Sequence, residues 1–325
     1  MTEAWHVLCV NAGSSSLEIA IYDIAPGCES CLVEGEAEGV GLRNGRLRVR
    51  RDEHPLDEER PFPQIADAVE AMLDVLGPET LVPIRAVGHR VGHGGPDHDA
   101  PSRVHAALVA ELRALVAWAQ LHQPGALDAI DAVGRRLPGI PQVACFDTAF
   151  HRRLPELAQR LPLPEWLWET GVRRYGFHGL SFESVVSSLG PDLAPRTVIA
   201  HLGSGASLVA LRDGQPVETT MGFTPAGGIM MSTRSGDLDP GALLYLLRER
   251  GFDAERLDLL VSQEAGLLGV SGQTSDMRTL LAQRERDPRA NLAVSLFCRG
   301  VRKAIGSLAA VLGGLELLVF TGAIG

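Results

Sequence analysis

Three stretches of the chain set arginine, histidine or aspartate beside glycine, GHRVGHGG at 88–95, RRYGFHG at 173–179 and STRSGD at 232–237 within the segment 221–239, and a fourth, CFDTAFH at 145–151, brings aspartate and histidine together without one. Glycine on a loop after a strand leaves backbone N–H groups open to a ligand, and arginine or histidine beside it adds charge-assisted donors, a combination suited to anions. Taken singly, Arg90 or Arg234 reads as a surface ion pair. Several such loops in one chain favour a site for a phosphate or carboxylate group over that reading. Lys303 is the single lysine and lies between Arg302 and Ala304, so a GxxxxGK[ST] phosphate loop is excluded. A side-chain cation on phosphate must be arginine or histidine. Zinc is a poor account of His89, His93 and His178, because no paired spacing such as HExxH accompanies them.

These loops need strands to hold them, and the sequence repeats a strand-turn-strand pattern. VLCVNAGSSSL at 7–17 overlays VIAHLGSGASL at 198–208, and LLVFTGAIG at 317–325 gives a third apolar strand running into glycine. Two copies at a fixed offset predict a duplicated domain clamping one polyphosphate between its halves. Asn44 and Gly45 signal a two-residue hairpin joining strands at 39–43 and 46–50, with the arginines on a solvated face. The charged, proline-bearing segment 52–63 reads as a surface loop. Ile65, Val69, Met72, Leu73 and Leu76 fit one helix face, and Leu108, Leu112, Leu115, Val116 and Ala119 fit another. Asp239 followed by Pro240 starts a helix that Gly251 ends.

Length and composition agree with this plan. A chain of 325 residues predicts two domains, 1–150 and 151–325, and 45% apolar with 22% charged residues is ordinary for a globular protein. A net charge of −10 argues against a nucleic-acid or anionic-membrane partner. Five cysteines suit a reducing compartment, with the Cys28/Cys31 pair read as inert thiols. No secretory leader is evident. The segment 304–325 carries one charge, Glu316, but Gly313 and Gly314 divide it into a buried helix and a buried strand, so no membrane span is expected and the cytoplasm is the expected location.

The ordered motifs NAGSSSL (11–17), GHRVGHGG (88–95), FDTAFH (146–151), RRYGFHG (173–179), HLGSGAS (201–207), MGFTP (221–225), TRSGDLDPG (233–241), SGQTSDMR (271–278) and FTGAIG (320–325) resemble those of the acetate kinase family, within the actin-like ATPase superfamily. The resemblance implies an α/β fold of two actin-like, ribonuclease H-like domains, each a mixed sheet with flanking helices, and an active site in the cleft between them. It implies reversible, Mg²⁺-assisted phosphorylation of a short-chain carboxylate by ATP, and a homodimer. Asn11 would lie near Mg²⁺ and the phosphates, Arg90 would hold the acceptor carboxylate, and Asp147 would be the acidic residue at the transfer centre. His178 and Arg234 would stabilise the phosphoryl group in flight. Ser14, Ser16, His201, Leu202, Gly203, Ser204 and Gly205 would face the phosphates, with Asp276, Met277, Arg278, Ala323 and Ile324 on the adenosine side. Gly92, Leu121, Phe177 and Pro225 would wall the acceptor pocket. Gly92 stands where the family has valine, which implies room for propionate or a longer acid.

Other departures stand out. Glu18 replaces a family lysine that contacts the nucleotide, so either its carboxylate points away or nucleotide binding is weakened. Ser204 replaces asparagine, and Phe182 replaces a second histidine. The family pattern continues beyond position 325, which suggests a truncated chain with weak ATP binding. The rival expectation is a relative that binds carboxylate or nucleotide without transferring phosphate.

Overall fold

The apolar run at 7–10 lies in strand β1 (Trp5–Ala12), which pairs antiparallel with β2 (Ser16–Ala25) and parallel with β6 (Ile84–Val91). The structure, a computed structural model, describes residues 5–13, 15–51, 55–120 and 122–325. It divides into two units, Met1–Ala149 and Phe150–Gly325. In the first, β3 (Cys28–Glu38), β4 (Arg46–Arg50) and β5 (Leu56–Glu59) extend the sheet beyond β2 in antiparallel steps. On the other side β8 (Gln142–Phe146) lies parallel to β6, and the two-residue β7 (Ser102–Arg103) forms the edge.

Alternation decides which face is buried. Leu8, Val10 and Ala12 of β1 and Leu17, Ile19 and Ile21 of β2 point into the core. They pack with helix α1 (Ile65–Leu81), whose Ile65, Val69, Met72, Leu73 and Leu76 are all buried, as the periodicity requires. Each such side chain fully buried contributes roughly 1.5–3 kcal/mol. Helix α3 (Gln123–Arg136) adds Ala129, Ala132 and Val133 to the same core. Helix α2 (Ala106–Ala114) is shorter than its pattern suggests. It buries Leu108 and Leu112, but the chain tightens to a 3₁₀ turn at Val116–Trp118, so Val116 and Ala119 leave the helix.

The second unit repeats the centre of the first. Strand β9 (Arg196–Leu202) pairs antiparallel with β10 (Ala206–Arg212), which pairs with β11 (Gln215–Thr219), and β9 runs parallel to β12 (Leu317–Thr321). The order β11-β10-β9-β12 is therefore the order β3-β2-β1-β6 again. Strands β9 and β10 are buried on both faces, hence their nearly unbroken apolar sequences. Helix Pro288–Leu312 covers one face through Phe297, Val301 and Leu308, and Phe182 of helix Gly179–Leu189 meets Ile199, Val209 and Leu211 on the other.

Further local expectations are corrected. Residues 88–91, read as part of a loop, form the end of β6. The turn before β4 spans 39–45, because β3 ends at Glu38 and pairs with Arg46, so residues 39–43 are not a strand. The segment read as a loop contains β5, an edge strand tied down by a two-pronged Asp57–Arg46 pair at 2.6 and 2.7 Å. Strand β12 is half-buried, with Phe320 49% exposed. By contrast Asp239 caps helix Pro240–Glu249 as expected, accepting from the Gly241 N–H. Among the described residues no helix is long and apolar enough to cross a membrane.

Candidate active site

In the first unit the parallel strands β1, β6 and β8 carry the expected residues at their carboxyl ends. Asn11 is register partner of Arg90, and Arg90 of Cys145, two residues before Asp147. Carboxyl ends of parallel strands are where α/β sheets place ligands, because the departing loops diverge there. The Arg90 guanidinium grips the buried Asp147 carboxylate: Nε donates to both oxygens at 3.2 and 3.0 Å, and Nη2 donates to Oδ2 at 2.6 Å. Its Nη1 donates to Asn11 Oδ1 at 2.9 Å. The Asp147 charge, opposed by burial, holds the Arg90 proton even more firmly than is usual for arginine. Arg90 nevertheless keeps 30% of its side chain in solvent. The backbone N–H of Asp147 donates to the Val91 carbonyl at 3.0 Å, and Thr148 Oγ1 accepts from Gly94 N–H at 3.1 Å, so the β6 and β8 loops fix each other.

Gly92 follows on the β6 loop. A Cβ placed on it would lie 3.3 Å from His122 Cβ, so His122 bounds the space that a larger side chain would take. Gln123 clamps the same loop, accepting from His93 N–H at 3.2 Å and donating to the His93 carbonyl at 3.1 Å. Ser14 and Leu121 lie outside the described residues. Ser16 opens β2, and its carbonyl accepts from Gly13 N–H at 2.8 Å.

In the second unit His178 adopts a left-handed backbone (φ 59°) at the N-terminus of helix Gly179–Leu189. Its Nδ1 shares a 2.8 Å hydrogen bond with the buried Ser207 Oγ, and its ring stacks on His201 at 4.3 Å. His201 Nδ1 is in turn bonded to Ser181 Oγ at 2.9 Å. Both rings are thereby turned by serines. Arg234 is buried, and its Nη1 donates to the Pro225 carbonyl at 2.7 Å. Gly205, in the turn after β9, lets two donors approach: a Cβ there would meet Arg234 Nη2 at 2.8 Å and His178 Nε2 at 3.0 Å. Gly203 N–H closes the turn on the Gly205 carbonyl at 2.9 Å, and the Ser204 carbonyl accepts from Ser232 N–H. His178, His201, Gly205 and Arg234 thus form one cluster.

The remaining expected residues are placed less directly. Phe177 is buried, and its carbonyl accepts from His151 Nε2 at 2.9 Å. Asp276 caps helix Met277–Gln283 through Thr279, whose hydrogen bonds pull its carboxyl below the usual range. Met277 lies in the core, Arg278 and Ala323 are exposed, and Ile324 N–H donates to the Leu202 carbonyl at 2.8 Å. Sequence reading passed over Ser207, Ser181 and Gln123. A serine inside an apolar strand was the available signal for Ser207. It also left open where Glu18 points: Asn11 Nδ2 donates to Glu18 Oε2 at 2.8 Å, so Glu18 faces the Arg90 group.

The Acetokinase family matches residues 6–325 of the chain. An acetate kinase of Rhodopseudomonas palustris is 46% identical over 98% of this chain and 82% of its own length. A propionate kinase of Citrobacter rodentium is 41% identical over 98% of this chain and 81% of its own. The crystal structure of a propionate kinase from Francisella tularensis superposes with a TM-score of 0.90 at 33% identity, covering 99% of this chain and 84% of that one. The doubled mixed sheet and these likenesses define a kinase whose phosphoryl acceptor is a carboxyl group. The chain belongs to the Acetokinase family.

Proposed function

We propose that the chain transfers the terminal phosphoryl group of ATP, reversibly and in line, to a short-chain carboxylate, with propionate used at least as well as acetate. The Arg90–Asp147–Asn11 group at the ends of three parallel strands carries this reading. A carboxylate acceptor is already ionised at neutral pH, so the site needs cations and alignment more than a base. Arg90 is assigned to the acceptor carboxylate, with Asp147 holding the guanidinium in place beside the transfer centre. His178 Nε2 and Arg234 Nη2, which converge at Gly205, are assigned to the oxygens of the phosphoryl group in flight. Ser16 and the turn of His201, Leu202, Gly203, Ser204 and Gly205 are assigned to the phosphates, and Arg278, Ala323 and Ile324 to the adenosine side.

Mg²⁺ would reach the site chiefly through substrate phosphates and water. Asn11, assigned beside it, has Oδ1 hydrogen-bonded to Arg90 Nη1, and both Asp147 oxygens accept from the same guanidinium, so neither is a direct ligand while Arg90 is held there. When bound it would neutralise charge on the phosphates. The five free cysteines support a reducing, cytoplasmic setting.

The acceptor preference rests on Gly92, whose missing side chain leaves His122, 3.3 Å from where a Cβ would lie, to bound the space, and each methylene an acceptor buries there is worth roughly 0.8 kcal/mol. Comparing kcat/KM for acetate, propionate and butyrate by acyl hydroxamate formation tests it, and a clear acetate preference refutes the wide pocket. In the same assay Arg90→Ala should lose ~10³-fold or more. A rate near that of the unaltered chain would remove Arg90 from its role.

A homodimer is also proposed, supported by helix Pro240–Glu249, which buries none of its residues and exposes Leu244, Tyr245 and Leu247. Sedimentation equilibrium should give a dimer that Leu244→Glu dissociates. A monomer in the unaltered chain overturns this.

A further inference from the structure

Glu18 belongs to no role assigned so far, yet it ends a chain of hydrogen bonds that starts at Asp147. Arg90 Nε and Nη2 hold Asp147, Arg90 Nη1 donates to Asn11 Oδ1, and Asn11 Nδ2 donates to Glu18 Oε2 at 2.8 Å. The sheet register explains the line-up: Glu18, Asn11 and Arg90 are direct cross-strand partners on β2, β1 and β6, so their side chains stand in one row on one face. The row continues outward through Glu36 on β3, Arg48 on β4 and Asp57 on β5.

We propose that Glu18 is a positioning residue: its carboxylate fixes which way the Asn11 carboxamide faces and thereby holds Arg90 in the geometry that receives the acceptor carboxylate. The proposal rests on the role assigned to Arg90 above. An amide has one donor end and one acceptor end. An ionised carboxylate only accepts, so Glu18 claims the Asn11 NH₂ group and leaves Oδ1 for Arg90, which only donates. Neither neighbour tolerates the flipped amide, which would set Arg90 N–H against Asn11 N–H and Asn11 Oδ1 against Glu18 oxygen. A lysine at position 18, the family's residue, accepts nothing and would leave the Asn11 NH₂ group without this partner. Charge alone points the other way. Glu18 stands directly opposite Glu36, whose carboxyl is pushed up by burial, by Glu38 and in part by Glu18. A lysine there would relieve that repulsion and add attraction for phosphate.

The two accounts separate in the series Glu18→Gln, Glu18→Ala and Glu18→Lys, with Arg90→Ala as reference. Each is followed by propionate affinity from ligand-observed NMR titration, which needs no turnover, and by KM for propionate and for MgATP. Glu18→Ala should weaken propionate by about tenfold, the scale of one charge-assisted hydrogen bond, with the MgATP KM within twofold. Glu18→Gln can present its carbonyl to Asn11 and should recover most of the loss, and Glu18→Lys should be at least as poor as Glu18→Ala. A Glu18→Lys chain that binds propionate as well as the unaltered one, or a Glu18→Ala effect confined to MgATP, overturns the proposal. If Arg90→Ala itself leaves propionate affinity unchanged, the role of Arg90 is what fails. Melting temperatures within a few degrees across the Glu18 series would exclude a merely structural effect, and a general loss of stability in step with affinity would count against positioning.

Discussion

Gly205 shows how one absent side chain lets two donors converge. The two atoms that a Cβ would crowd, Arg234 Nη2 and His178 Nε2, are the far ends of side chains and can yield, so Gly205→Ala should fold. They can yield only by leaving the positions in which they converge. A displacement of about an ångström at such donors costs on the order of 10²-fold in rate. Gly205→Ala should therefore lower kcat by about that factor with a melting temperature shifted by only a few degrees. Gly236 makes the contrast, since its φ of 70° and the backbone of Gly228 and Ile229 within 2.6 Å of a built Cβ leave nothing able to move. Gly236→Ala should lose stability first. A Gly205→Ala enzyme with unaltered kcat would show that His178 and Arg234 need not meet there.

At the scale of the element, what could be read from the sequence was whatever depends on local pattern. The β1–β2 and β9–β10 hairpins announce themselves by an apolar run, a glycine-serine turn and a second run, and their repetition marks the duplication in the sequence itself. The face of α1 followed from residues three and four apart, and the start of helix Pro240–Glu249 from an aspartate before a proline. What failed to show depended on partners distant in sequence. Strand β5 reads as loop because Asp57, Glu58 and Glu59 lack strand propensity, and it is a strand because β4 offers Arg46 and Arg48 opposite Glu59 and Asp57. Helix α2 breaks where its apolar pattern continues, since Leu115 adopts φ −86°, ψ 0° before the 3₁₀ turn. The site divides in the same way. Arg90, His178 and Arg234 stood out as charged or polar residues beside glycine and Asp147 beside His151, whereas Asn11 entered only through the family resemblance, and Asn11 and Arg90 stand in strands β1 and β6. The serines that orient the two histidines follow only from the packing of helix Gly179–Leu189 beside β9 and β10, and the engagement of Glu18 with Asn11 only from register across strands.

For the whole molecule, stability should depend on pH through a buried histidine of β6. His89 lies on the buried face of β6, 1% exposed, with Nε2 donating to Gln142 Oε1 at 2.6 Å. Its Nδ1 has no hydrogen-bond partner among the described residues, so a second proton would be buried without an acceptor. Burial accordingly pulls its pKa from 6.5 down to about 4, against the opposing pull of Gln142. The folded state stays neutral at His89 where the unfolded chain takes up a proton. This part of the stability is fully present above pH 6.5 and is lost progressively as pH falls toward about 4. Between pH 6.5 and 5, before most carboxylates titrate, it amounts to roughly 2 kcal/mol. Two units with separate cores need not unfold in one step, so calorimetry is the measurement of choice. The transition of the first unit should fall in temperature over that pH interval, and His89→Gln, which cannot titrate, should flatten it. Equal slopes in the two proteins would mean that His89 is protonated in the folded state or that its environment opens to water.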